Sequence, residues 1–338
     1  MSRTGQVELF VPPLYDLLWA VVGFGTPLAL VAAIVVVALR GGRGRSGGIS
    51  RTASVARRHA VGVHLAAWVA ALVALPLMGY GGLPGPPEAV RAYATALGGS
   101  SSFDSGSLVA LVPAGVGLAF LLVHAVGELT WPRPTGTVRR ATLRPRRVVD
   151  VAPAGARRVT WAWGAVLFVV LLACGLTAEP DGRSLGRTSG AWVVSHSPFP
   201  GWHYGVSLLA AAALVLGAQE GVLRLITRRP AVADAAEAWD LGLRRLSAHR
   251  VLRGTQLVLG CTVGAVLVVA GTSVRAVGDD HAPGAAAGGS TAYVLGGTAL
   301  VVLGLASLLV AMALTLRQGD AVAAPAVDAD DALHDAAR

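Results

Sequence analysis

His64, His124, Glu128, Gln219, Glu220, Arg224, Thr255 and Gln256 are polar residues set in sequence that is otherwise oily. Imidazole, carboxylate and guanidinium groups in apolar surroundings can hold a proton, an anion or a metal. Polar groups inside lipid are costly, so they mark function more often than the same groups elsewhere. His124 and Glu128 are four residues apart, as are Glu220 and Arg224, so each pair shares one side of a helix. His64, His124, Glu128, Glu220, Arg224 and Gln256 are the candidate binding cluster. Counted from the nearest end of their apolar runs, all lie within roughly 10 Å of the same boundary at about 1.5 Å per residue. Two arrangements follow. In one, the residues meet in a single cavity. In the other they are satisfied locally: Glu220 pairs with Arg224, which reaches back to the headgroups, Glu128 meets arginines of the loop after it, and the histidines find backbone partners. Local satisfaction is the expectation.

A second constellation lies in segments between apolar runs. His196 and His203 flank SPFPGW, and Asp279, Asp280 and His281 are consecutive. Imidazole with carboxylate is a donor set for zinc or copper, although the spacing matches no known zinc pattern. No HExxH, GxSxG, Walker loop or haem CxxCH is present. Cys174 and Cys261 sit inside apolar runs, where a thiol is a small buried hydrophobe, and they are not spaced as metal ligands. Nothing in the chain implies a cofactor.

These residues have to be positioned by membrane helices. The chain has 338 residues, of which 54% are hydrophobic and 14% charged, with a mean hydropathy of +0.62. Soluble domains carry about 25% charged residues. Seven continuous apolar runs, near 14–39, 59–79, 107–129, 159–177, 205–227, 253–272 and 291–316, are long enough to cross a bilayer. The expected fold is an all-α bundle of seven transmembrane helices, forming a single membrane domain over 1–317 with an acidic tail at 318–338. The polar first thirteen residues, with one Arg, do not read as a cleavable signal.

All 28 basic residues are Arg; with the abundant Ala and Gly, this is the composition of a GC-rich, bacterial genome. Residues 40–58 hold six Arg, 130–158 hold eight, 224–253 hold seven and the tail two, whereas the N-terminus and the alternate loops hold five. Arginines in short loops stay in the cytoplasm, so the expected topology puts the N-terminus outside and the C-terminus inside a plasma membrane. Anionic headgroups then account for the net charge of +9, at about 1 kcal/mol per Arg near the surface. No aromatic platform accompanies the charge to suggest nucleic acid.

Between runs, the segment 86–99 has the pattern of a short surface helix. Residues 230–247 place Val232, Ala236, Trp239, Leu243 and Leu246 at helical spacing, with acids early and Arg244 and Arg245 late. That pattern predicts an amphipathic helix lying in the interface. Spans one, three, five and seven begin about 90 residues apart, which hints at a repeated two-span hairpin. Gly260 and Gly264, and the ladder Ala213, Gly217 and Gly221, predict close helix contacts within the chain or in a homodimer. Trp161, Trp163, Trp192 and Trp202 near span ends fit an aromatic belt. The apolar midplanes make the expected role a non-enzymatic membrane component: an accessory subunit, a sensor or a small-solute permease. The alternative is a membrane-embedded enzyme or metal-handling protein built on the His and Glu cluster.

Overall fold

A computed structural model of the chain describes residues 51–79, 105–132, 146–189, 192–232, 235–279 and 289–316. The run at 14–39, the segment 86–99, Asp280, His281 and the tail lie outside the described residues. The described chain is predominantly helical: α1 (Arg51–Gly79), α2 (Ser105–Leu129), α3 (Val148–Val151), α4 (Ala154–Thr177), α5 (Trp202–Arg228), α6 (Glu237–Asp279) and α7 (Thr291–Leu316). Six of these are long and apolar enough to cross a membrane. They correspond to six of the seven runs read from the sequence. The helices outrun the apolar stretches at the arginine-rich end, where α1 starts at Arg51 and α4 at Ala154.

The largest departure from expectation is α6. An interfacial helix over 230–247, separate from the span that follows, does not form. Pro230 follows the C-cap Arg229 of α5, because proline cannot continue a helix. From Glu237 one helix then runs for 43 residues. At about 1.5 Å per residue it is roughly 65 Å long, about twice the hydrocarbon thickness of a bilayer. No proline interrupts it, and the acids Glu237 and Asp240 in its first turn suit the positive end of its dipole. Part of the polar side of its first turns does not face water. Asp240 and Arg244 are buried, while Leu243, Trp239 and Leu246 pack with Ala56, Ala60 and Trp131. Glu237 and Arg245 remain exposed, but the buried pair and the apolar contacts join the segment to the bundle.

α6 touches every other long helix described. Its apolar half packs Leu259, Val263, Val266 and Leu267 against Leu167 and Leu171 of α4 and Tyr204, Leu208 and Leu216 of α5. Against α7 it uses glycine. A Cβ on Gly264 would meet the Gly304 carbonyl oxygen at 2.9 Å, and one on Gly271 would meet that of Gly297 at 2.6 Å. A Cβ on Gly260 would strike Ala311, and one on Gly278 would strike Tyr293. Gly264, Gly271 and Gly278 recur every seventh residue, as do Gly297, Gly304 and Ala311. That period keeps one seam facing its partner along two antiparallel helices. Backbones can approach this closely only where side chains are absent, and in lipid such packing replaces the hydrophobic drive. The Gly260–Gly264 pair is therefore an intrachain contact. The ladder on α5 differs: Ala213 and Gly217 are exposed, and a Cβ on Gly217 or Gly221 meets nothing within 4 Å.

At the other end of the bundle the connection between α4 and α5 carries an antiparallel hairpin, β1 (Leu185–Ser189) with β2 (Trp192–His196), pairing Leu185 with His196 and Arg187 with Val194. The all-α reading did not anticipate it. The turn before it is built by Asp181, which accepts hydrogen bonds from the Arg183 and Ser184 backbone N–H groups and the Ser184 hydroxyl. Those bonds, the Arg183 N–H first, hold the Asp181 carboxyl below the usual carboxylate range. Gly182 supplies the left-handed turn at φ 66°. The hairpin rests on the bundle through Leu185 and Phe199, which pack with Cys174 and Ala270, and through Arg187 Nε, which donates to the Val277 carbonyl at 3.1 Å.

The seam makes a contrast that thermal unfolding in mild detergent can read. Gly271→Leu should lower stability by at least about 2 kcal/mol, because the new side chain meets backbone. Gly217→Leu, which meets open space, should leave the melting temperature within a few degrees of the parent.

Candidate functional site

The arginine-rich end of the bundle holds a set of buried charges, assembled from helix ends. α2 and α5 finish there and α1, α4 and α6 begin there. Arg244 of α6 is fully buried. Its Nε donates to Asp240 Oδ2 at 2.8 Å, one helical turn earlier. Its Nη1 donates to the carbonyls of Ile226 (2.7 Å) and Thr227 (3.2 Å), and its Nη2 to those of Arg229 (2.9 Å) and Pro230 (3.3 Å). The last carbonyls of a helix have no partners within it and carry partial negative charge. A guanidinium placed over them satisfies both needs, so Arg244 closes the C-terminus of α5. Arg146, just ahead of α3, adds a second guanidinium to Asp240 at 3.2 Å and reaches Glu237 at 3.7 Å.

Glu128 is part of the same assembly. Its partner among the described residues is Arg229, 3.4 Å away and also buried; Arg133, Arg139, Arg140 and Arg144 of the loop that follows α2 lie outside the described residues. All three hydrogen bonds from Arg229 Nη1, two to Glu128 and one to Ser247 Oγ, are 3.4 Å long. The guanidinium also lies over the Trp131 ring, 3.9 Å from its centre, which adds a cation–π attraction at a desolvated site. His59 Nε2 donates to the Gly127 carbonyl at 2.8 Å, and its ring meets Trp131 edge-on.

His64 and His124 come together on the α1–α2 contact, with ring centres 5.7 Å apart. They are 7% and 3% exposed, and aromatic rings surround them. Phe120 lies 4.7 Å from His124, and Trp68 lies 5.0 Å from Phe120. The Trp68 indole N–H donates to His64 Nε2 at 3.3 Å. His64 Nδ1 and His124 Nε2 are buried without a hydrogen-bond partner. Beside them, between α1, α2 and α6, is a recess lined by His124, Glu128, Trp131, Ser247, Arg250 and Ala60, with room for about one water.

Glu220 and Gln256 belong to a separate group. Glu220 does not pair with Arg224, which is exposed. It makes a two-pronged bond with Arg157 of α4, Nε to Oε1 at 3.0 Å and Nη2 to Oε2 at 2.9 Å. Gln256 Nε2 donates to the Ala156 carbonyl (2.7 Å) and the Thr160 hydroxyl (3.1 Å), and its Oε1 accepts from Arg253 Nη1 at 2.9 Å. These bonds tie the start of α4 to α5 and α6. The six candidates thus divide: His64, His124 and Glu128 gather around the α1–α2 contact, Glu220 and Gln256 fasten α4, and Arg224 faces out.

At the opposite end, His203 packs edge-on against Tyr204, Asp279 pairs with Arg275 at 3.3 Å, and His196 Nδ1 is buried without a hydrogen-bond partner. Among the described residues, no three His, Cys, Asp or Glu side chains gather as a metal site. The sequence reading missed Trp68, Arg157, Arg229, Ser247 and Arg250 as site residues, and it took Asp240 and Arg244 only as charges complementing a helix dipole. Their one local signal was Asp240 four residues ahead of Arg244. The other pairings span 63 residues for Arg157–Glu220 and 101 for Arg229–Glu128.

The chain matches no family model, no curated protein and no solved structure.

Breaking one partner of a buried ion pair strands the other charge, at about 3–5 kcal/mol. Asp240→Asn and Glu128→Gln should each cost about that much in thermal unfolding. Arg157→Gln, whose partner-bound side chain is partly solvated, should cost about 1 kcal/mol or less. Equal losses in all three would mean that burial does not set the ranking.

Proposed function

We propose that the chain is a seven-span protein of a bacterial plasma membrane, with its N-terminus outside and its C-terminus inside. Its role is that of a non-enzymatic membrane component, an accessory subunit or sensor for a partner protein. The positive-inside asymmetry supports the orientation. So does the gathering of arginine-rich segments at one end, where Arg146 meets Asp240, Arg157 meets Glu220 and Arg250 Nη1 donates to the Ala60 carbonyl. Arg58, Arg147, Arg158, Arg224, Arg228 and Arg245 are exposed near that end, suited to anionic headgroups.

The observation that carries the role is how the buried charge is spent. Glu128 pairs with Arg229, and Arg244 pairs with Asp240 while donating to carbonyls at the end of α5, contacts that fasten helix ends to one another, and the recess beside them admits about one water. A permease places polar groups and broken helices near the membrane midplane. Here α4, α5, α6 and α7 are each unbroken, and the middle of the bundle is packed with Leu and Val. The open ladder Ala213, Gly217 and Gly221 is a surface on which a second helix, from a partner or from another copy, fits closely.

Single engineered thiols test the map in intact cells. A membrane-impermeant maleimide should label a cysteine placed between residues 178 and 204 and leave one placed between 130 and 158 unlabelled; the reverse pattern would invert the topology. Purified protein in vesicles tests the role. Ion and small-solute leak should match that of empty vesicles, and a saturable flux abolished by Glu128→Gln would make the protein a permease.

A further inference from the structure

The recess and the two histidines beside it have unmet hydrogen-bonding needs. A buried polar atom without a partner costs about 1–3 kcal/mol. Around this one spot, His124 Nε2, His64 Nδ1, and Arg229 Nε and Nη2 all lack one. His124 and Glu128 line the recess, and so do Trp131 and Ser247, which like Glu128 touch Arg229. Cavities of this size stay dry when their walls are apolar and hold water when two to four polar groups converge on them. This wall has an imidazole, a carboxylate, a hydroxyl and a guanidinium.

We propose that the recess binds an ordered water that joins His124 Nε2 to the Glu128 carboxylate, giving the buried His64–His124 pair proton access from the arginine-rich end of the bundle only. Each Glu128 oxygen accepts one long bond from Arg229 and retains a lone pair for the water. The charged and titratable groups around the pair are His59 on α1, Glu128 on α2, Arg229 after α5, and Arg250 on α6. Access is one-sided because Trp68 and Phe120 close the other side of the histidines. The indole has a donor and no acceptor, so a chain of hydrogen bonds through His64 ends at Trp68.

The same bond speaks against a metal as the ligand. His64 Nε2 accepts from the Trp68 N–H, so in the neutral ring the proton sits on Nδ1. A cation at Nδ1 would displace that proton and force Nε2–H against an indole N–H. Water meets the geometry without that conflict. The site goes beyond the role proposed above and stands whether or not the protein serves a partner.

Protein labelled with ¹⁵N at histidine, reconstituted in phosphatidylcholine bilayers, tests this by water-edited solid-state NMR, with His64→Gln and His124→Gln assigning the signals. Water magnetisation should reach the His124 ring about as fast as it reaches exposed His203. Ser247→Leu, which fills the recess, should cut that transfer at least tenfold while leaving His203 unchanged. Should that variant fail to fold, Ala60→Leu narrows the same recess from α1. A parent His124 ring that exchanges no faster than the lipid-buried backbone would overturn the proposal, as would transfer that survives the filled recess. Trp68→Phe should leave the transfer unchanged; a rise would show that water also enters from the other side.

Discussion

A guanidinium with no access to solvent holds the arginine-rich end of this protein together. Taking a charge that deep costs several kcal/mol unless its donors are met. Arg244 meets the need with one carboxylate and four carbonyls. Two of those carbonyls, of Ile226 and Thr227, are in the last turn of α5, which leaves them without partners in the helix, and the other two follow it at once. The two deficits cancel only if α6 starts beside the point where α5 stops, and this constraint fixes the corner between them. Asp240 is then buried in turn and draws in Arg146, and Arg229, left just past the corner, meets Glu128 and Trp131. A series of helix ends is gathered by charges that must find one another because they have lost water.

α6 passes through two kinds of packing along its length. Near its start it is held by ion pairs and by carbonyls accepting from arginine. Towards its end it is held by glycines that let α7 come close enough for a backbone oxygen to lie where a Cβ would stand. The difference follows from the surroundings. Hydrocarbon gives apolar side chains no reason to associate, so contact there depends on shape and close approach. At the polar boundary, charges are available and can be stripped of water in pairs. A helix of 43 residues is long enough to use both.

The polar residues within the apolar runs divide along the same line. Glu220 and Gln256 serve as fasteners whose hydrogen-bonding capacity is largely met by α4. His64 and His124 retain unpaired ring nitrogens, shielded by Phe120 and Trp68, next to the recess that Glu128, Ser247 and Arg250 line. Arg229 beside them is half-satisfied as well, with Nε and Nη2 unpaired, and half-satisfied buried groups gathered in one place are unusual.

Composition and hydropathy by themselves determined that the chain is helical and apolar enough to span a membrane repeatedly, and they located the described long helices. That much is legible because each span must satisfy its own backbone in lipid, and a continuous oily run of sufficient length is the condition for doing so. The unequal placement of arginine was equally plain, since it is a property of position along the chain. Tertiary structure decided the rest. The periodic segment at 230–247 reads as an interfacial helix when its partners are unknown; Asp240 and Arg244 became interior because the end of α5 supplied carbonyls for Arg244. Glu220 has Arg224 one turn away, yet pairs with Arg157, since a fork from a neighbouring helix meets both carboxylate oxygens. The hairpin after α4 gave no strong alternating pattern and forms where Leu185 and Phe199 find cover on α6. Local periodicity reports which solvent a segment can tolerate. Which charge meets which depends on helix ends brought together across 63 to 101 residues, and no local pattern encodes that distance.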